Sequence, residues 1–325
     1  MAHAHLDTLL NACHDHDGGE PSQALGRATA DFLHCAANDV GILKAAAAAL
    51  PNLTPDGAAW LAVVLGAAIE RGDGVDHTAP AVVNLLLSWL PRLPARGGGD
   101  QKTTGSLDQT ALLRAFPRLC QSVVAHLARM PGRRTELAQD MRLLDRLQEL
   151  ESHSHGAVWV REMLLRRSGS LVLLHQPSGM GFRLRYENVA SCFHLFSLIQ
   201  TAIGRRIPDG RRPDPAIAAA ARGRPSRRLM DEAWWHYSNH RSLTADIGAS
   251  IWGEASVLSI ESLDGVQVIV LWPPIVASRM WDSAFFGPPV EALPPDVVVE
   301  EELSAENARS WFDRLEIEPG GRRNC

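Results

Sequence analysis

The chain reads as an α+β protein, a helical N-terminal bundle followed by a mainly antiparallel sheet with a covering helix. Two changes along the sequence predict this. Through the first 150 residues the apolar side chains recur every three or four positions, the period of a helix face. Near residue 156 they begin to alternate with polar ones, the period of a half-buried strand. A third observation concerns charge, which is sorted along the chain. Residues 1–150 carry 13 basic and 16 acidic side chains, residues 151–245 carry 14 and 7, and residues 246–325 carry 5 and 14. Segregation of this kind speaks of docking and partners rather than of fold.

Short helices are expected near 5–15, 22–37 and 39–50, the last rich in alanine over Ala45–Ala49. Thr54-Pro-Asp-Gly opens the next with a cap residue, a proline in the first turn and an acid at the positive dipole end. Trp60, Leu61, Val64, Leu65 and Ile69 then follow the helix period. Asp73-Gly ends that helix, and Thr78-Ala-Pro starts another carrying Val82, Leu85, Leu86 and Trp89. Both are apolar on most faces and belong at the centre of a bundle. The glycine-rich stretch of about 94–107 is the clearest linker. Beyond it, one helix spans about Asp108 to Arg129, with Pro117 inside or at its true start, and another spans Thr135 to about Ser152.

Val158, Val160, Met163 and Leu165 alternate with polar neighbours and predict a first strand. Leu171–Leu174 returns, Pro177-Ser-Gly-Met-Gly turns the chain, and Phe182, Leu184 and Tyr186 alternate with Arg183 and Arg185. Three such strands make an antiparallel meander. A helix at about 189–204 should cover one face of it. Further strands are expected near 249–260 and 265–272, the second a continuous apolar run inside the sheet. The strand-like, acidic Val297–Glu302 and a short helix at about 304–314 end the chain. The resulting division is a helical domain over 1–153 and an α+β domain over 154–325 that holds an Arg-rich loop at 205–228.

At 46% hydrophobic and 21% charged, the composition is globular and excludes general disorder. The basic residues are nearly all Arg, with only Lys44 and Lys102 as Lys, which together with the abundant alanine reads as bacterial, GC-rich coding. Five widely spaced cysteines without a C-x-x-C pair argue against a disulfide framework or zinc ribbon. The first residues lack the basic and apolar regions of a secretory signal, and no apolar run reaches bilayer length. A soluble, cytoplasmic protein without membrane contact is expected.

Candidate chemistry is sparse. His3/His5, His14/His16 and His153/His155 form H-x-H pairs, and Cys13-His14-Asp15-His16-Asp17 holds plausible metal ligands, but no spacing fixes a third. No catalytic set is assigned. There is neither a G-x-S-x-G elbow nor H-E-x-x-H; Cys192 reads as core, and Glu254 as an acid at a solvent-facing bend. Pro177-Ser-Gly-Met-Gly joins two strands and lacks the Lys of a phosphate loop. No cofactor is expected.

The strongest signal is the run of eight arginines between Arg205 and Arg228, followed by Trp234, Trp235, His236 and Tyr237. Such a block can hold phosphates and stack bases, pair with Glu300, Glu301 and Glu302 of the same chain, or stay solvated. Phe285 and Phe286 sit in a proline-rich loop that would serve as a partner surface if it stays outside the core. The residues assigned to partner binding are Arg222, Arg224, Arg227, Arg228, Trp234, Trp235, Phe285 and Phe286. Together these features point to a non-catalytic protein-interaction or scaffold component of a multi-protein bacterial assembly. Two alternatives stand beside it: a metal-dependent enzyme using the His-rich N-terminus, and a nucleic-acid-binding protein using residues 205–241.

Overall fold

The computed structural model describes residues 2–37, 39–72, 74–94, 107–224, 229–230, 236–239, 250–274, 281–287 and 290–320. The expected linker falls almost wholly outside them. The chain forms two compact units, Met1–Leu164 and Leu165–Cys325.

Nine α-helices make up the described part of the first unit: α1 (Ala2–His14), α2 (Gln23–Ala36), α3 (Val40–Ala49), α4 (Pro55–Glu70), α5 (Val75–Trp89), α6 (Leu107–Leu127), α7 (Pro131–Leu137), α8 (Met141–Leu150) and α9 (His155–Leu165). Side chains of Ser22, Asp39, Thr54 and Asp140 cap α2, α3, α4 and α8 by accepting a backbone N–H of the first turn. Leu61, Leu65 and Ile69 of α4 are buried, as are Leu112, Phe116, Leu119 and Val123 of α6. These two helices approach closely because Gly66 faces Ser122, whose Oγ donates to the Ala62 carbonyl at 2.5 Å. His126, one turn on, is fully buried. Its Nδ1–H donates to the Ser122 carbonyl at 2.7 Å, leaving Nε2 to accept from the Thr78 hydroxyl at 3.0 Å. Asp56 is also buried, and Arg114 grips both of its carboxylate oxygens, at 3.1 and 2.5 Å.

Three local expectations are corrected in this unit. The helix expected from Thr78 begins at Val75, because Gly74 at φ +80° turns the chain and its carbonyl accepts from the His77 and Thr78 N–H groups. The single helix expected over 135–152 is two, since Asp140 leaves helical geometry to cap α8. The strand expected at 158–165 is α9. Its buried residues, Ala157, Val160, Met163 and Leu164, follow the helix period, and the Ser154 hydroxyl accepts the Gly156 N–H at 3.1 Å.

The second unit contains β1 (Arg167–His175), β2 (Met180–Val189), α10 (Cys192–Ile203), α11 (Pro215–Ala221), β3 (Leu229–Met230), β4 (His236–Asn239), β5 (Ser262–Leu263), β6 (Val266–Trp272), β7 (Trp281–Asp282), β8 (Asp296–Glu302) and α12 (Ala305–Arg314). Its main sheet runs β4-β6-β1-β2-β8, with β5 also paired to β6; β3 and β7 form a separate two-stranded pair. Among the described residues every strand pairing is antiparallel except β1 with β6. The α+β class therefore holds, with a mixed rather than meandering sheet.

Both faces of this sheet are covered, where one covering helix was expected. Leu171 and Leu173 of β1, with Ile269 and Leu271 of β6, pack among residues of α10 and α11. Val172 and Leu174, with Val268, Val270 and Trp272, pack with Ala308 and Phe312 of α12. Burial on two sides explains the unbroken apolar runs of β1 and β6. Residues 251–260 form no strand. The Gly253 and Ala255 carbonyls instead accept the Phe193 and Cys192 N–H groups at the start of α10, at 2.6 and 2.8 Å.

Candidate functional site: an arginine-lined cleft

The second unit holds an open cleft of about 960 Å³, bounded by the end of α10, by α11 and by the Pro294-Pro295 turn before β8. Arg205, Arg212, Arg222 and Arg224 line it, against two carboxylates, Glu187 and Asp296. All four arginines are exposed and form a rim. Buried Pro213 and Pro295, with half-buried Ala218 and Ala219, form an apolar floor.

Local chemistry places each wall. Past α10 the backbone folds back onto Gly204. A Cβ there would stand 2.0 Å from the Arg211 carbonyl oxygen, so only glycine admits the return. Buried Ile207 anchors the loop, which carries Arg205 and Arg212 to the surface. Pro215 begins α11 after Asp214, whose side chain accepts the Ala216 N–H at 2.7 Å. α11 ends in a Schellman motif: the Gly223 N–H donates to the Ala220 carbonyl at 3.0 Å and the Arg224 N–H to the Ala219 carbonyl at 3.1 Å. Gly223 adopts φ +92°, which this cap requires. Arg222 and Arg224 flank that glycine, so the cap fixes both.

His194 of α10 pins the same end of α11. It is fully buried; Nδ1 accepts the Ala190 N–H at 3.3 Å and Nε2–H donates to the Ala221 carbonyl at 2.5 Å. The second bond satisfies a carbonyl that the end of α11 leaves open. Burial pushes the His194 pKa down to about 3, so the ring is neutral at physiological pH.

Pairing with Glu300, Glu301 and Glu302 was one of the readings open for the Arg block. Among the described residues two of these acids meet arginines of β2: Arg183 reaches Glu301 at 3.4 Å and Arg185 reaches Glu300 at 3.2 Å, across the β2–β8 ladder. Arg185 also contacts Glu187. Arg222 pairs with Asp296 at 3.3 Å, and both side chains are more than 40% exposed. Exposed pairs of this kind contribute about 0.2–1 kcal/mol, so Asp296 does not lock Arg222. Arg205, Arg206, Arg211, Arg212 and Arg224 form no ion pair among the described residues.

Of the residues assigned to partner binding, Arg222 and Arg224 are therefore brought together on one rim. Arg227, Arg228, Trp234 and Trp235 lie outside the described residues. Phe285 is 38% exposed and meets Phe193 edge-on, with ring centres 5.8 Å apart. Phe286 is not a surface residue. It stacks on Phe193 at 5.3 Å and leans on His194 at 5.1 Å, anchoring its loop in the core. Tyr237, next to the Trp pair, is likewise buried, stacked on Phe196 at 3.7 Å.

At the N-terminal cluster the side chains diverge. Burial pushes the Cys13 thiol up to about 12, His14 is exposed, and His16 turns inward to meet Trp60 edge-on at 5.5 Å. Burial, and after it the Arg118 guanidinium, lowers the pKa of His16. Among the described residues no group of three His, Cys, Asp or Glu is placed to hold a metal ion. Nor is any helix among them long and apolar enough to cross a membrane. Cys192 is buried, its thiol pushed up to about 12, and Glu254 lies exposed in a turn.

Sequence reasoning missed Glu187, Pro294, Pro295 and Asp296, which come from positions distant from the Arg block. One signal at the site was local: an alanine run followed by Arg-Gly is a helix stop. Compared with family models, curated proteins and solved structures, the chain matches none.

Proposed function

We propose that this chain is a non-catalytic docking component of a bacterial protein assembly, held to a partner through the arginine cleft of its second unit. One observation carries the reading. Four exposed guanidiniums are gathered around a single concavity by a glycine contact, a Schellman cap and a buried histidine, and only Arg222 is paired with a carboxylate among the described residues. Arginines whose backbone is fixed in this way offer guanidiniums suited to bidentate contact with an anionic partner. Rim charges of this type set association rate and specificity more than total affinity.

The test is co-purification of the intact protein from its native host, with the partner identified by mass spectrometry. The double variant Arg205→Glu/Arg212→Glu is compared with the parent. Loss of that partner from the variant, with its unfolding midpoint unchanged, is the expected result. A partner retained at the parent level by the double variant removes the cleft from the function. The Arg excess also fits nucleic-acid phosphate. For that reading, a salt-dependent gel shift must be lost in the same variant.

A further inference from the structure

Resting on the docking reading, we infer that the cleft takes an extended peptide segment in which carboxylate side chains alternate with apolar ones, and that Asp296 is its built-in competitor. One property of the cleft selects this occupant over a nucleic acid, the contrast between rim and floor. Exposed Arg205, Arg212 and Arg224 ring a surface of proline and alanine. A phosphate backbone is polar along its whole length and would leave that floor without an apolar partner. A segment with apolar residues between its acids satisfies both surfaces at once.

Asp296 shows where a carboxylate of the occupant would sit. It enters the cleft from the first residue of β8 and reaches Arg222 at 3.3 Å, and among the described residues the other three arginines have no carboxylate partner. An arriving Glu or Asp replaces this contact with one of the same kind. Asp296 therefore weakens binding by occupying Arg222, beyond its general negative charge. Glu187 is the matching control. It lines the same cleft and carries the same charge, but its carboxylate pairs with Arg185, which is not among the lining arginines.

Fluorescence anisotropy on the full chain tests this with three labelled probes of similar length: a peptide alternating Glu with Leu, an all-Glu peptide and an oligothymidylate. The alternating peptide should bind most tightly. Arg205→Glu/Arg212→Glu should weaken it by about tenfold or more. Asp296→Asn should tighten it about two- to fivefold, the range of one exposed ion pair, and Glu187→Gln by clearly less. Tighter binding of the oligothymidylate overturns the inference in favour of nucleic acid. Equal effects of Asp296→Asn and Glu187→Gln overturn the competitor role. If no peptide binds, yet the double charge reversal still abolishes the native complex, the acidic–apolar occupant falls and the docking reading stands.

Discussion

Lowering the pH from about 7 to about 5 should destabilise the second unit by about 4 kcal/mol through two histidines, His175 and His194. Both are buried, and burial holds them at about 4 and about 3 respectively. In the unfolded chain each returns to about 6.5. A folded pKa below the unfolded one means that the unfolded state takes up the proton first. The stability that each neutral ring contributes is thus complete above about pH 6.5 and is lost as pH falls towards the folded value. At pH 5 the gap from the unfolded pKa is about 1.5 units, worth about 2 kcal/mol per ring. His194→Gln isolates one of the two. The amide can still donate towards the Ala221 carbonyl but takes up no proton. Urea unfolding of the full chain, followed by tryptophan fluorescence at several pH values, reads the slope of stability against pH. The variant should show a slope lower by about one proton between pH 6 and 5. Identical slopes in parent and variant would refute the claim that His194 is held neutral by burial.

Arg146 donates to the Leu90, Leu93 and Pro94 carbonyls at 2.7–3.2 Å, so Arg146→Ala should lower stability by about 2–3 kcal/mol in urea unfolding, with Arg146→Lys recovering only part. Gly223→Ala should cost about 1 kcal/mol through its left-handed backbone alone, since a Cβ there meets only Pro295 at 3.7 Å. Gly223→Asn should be milder in the same urea unfolding experiment, because Asn tolerates that conformation.

What could be read in advance was whatever the local chain decides. Thr54-Pro-Asp-Gly announces α4 because cap, proline and acid all act within one turn. The alternation of Phe182, Leu184 and Tyr186 with two arginines marks β2 because side chains on a strand separate by face. Residues 156–165 misled for the same reason: a short apolar segment satisfies both periods, and the Ser154 cap was the deciding detail. The class of the second unit was legible, whereas the parallel pairing of β1 with β6 was not. That pairing joins Val172 to Val268, and no local pattern records such a partner. The cleft behaves alike. Its arginines are conspicuous in the sequence, but Asp296 and Pro295 reach them only through the β2–β8 ladder, which sets Glu187 opposite Asp296.

The order of strands also bears on how the polypeptide acquires its structure. A β1–β2 hairpin closes over a four-residue turn and can form early, but the neighbour of β1 on its other side begins at Val266, and the helix that covers Val172 and Val268 ends at Arg314. During synthesis, an apolar face of β1 therefore waits for α12, far along the chain, to emerge. Such high contact order slows folding and lengthens exposure to aggregation. Fragments lacking α12 should accordingly depend on chaperones and collect in the insoluble fraction.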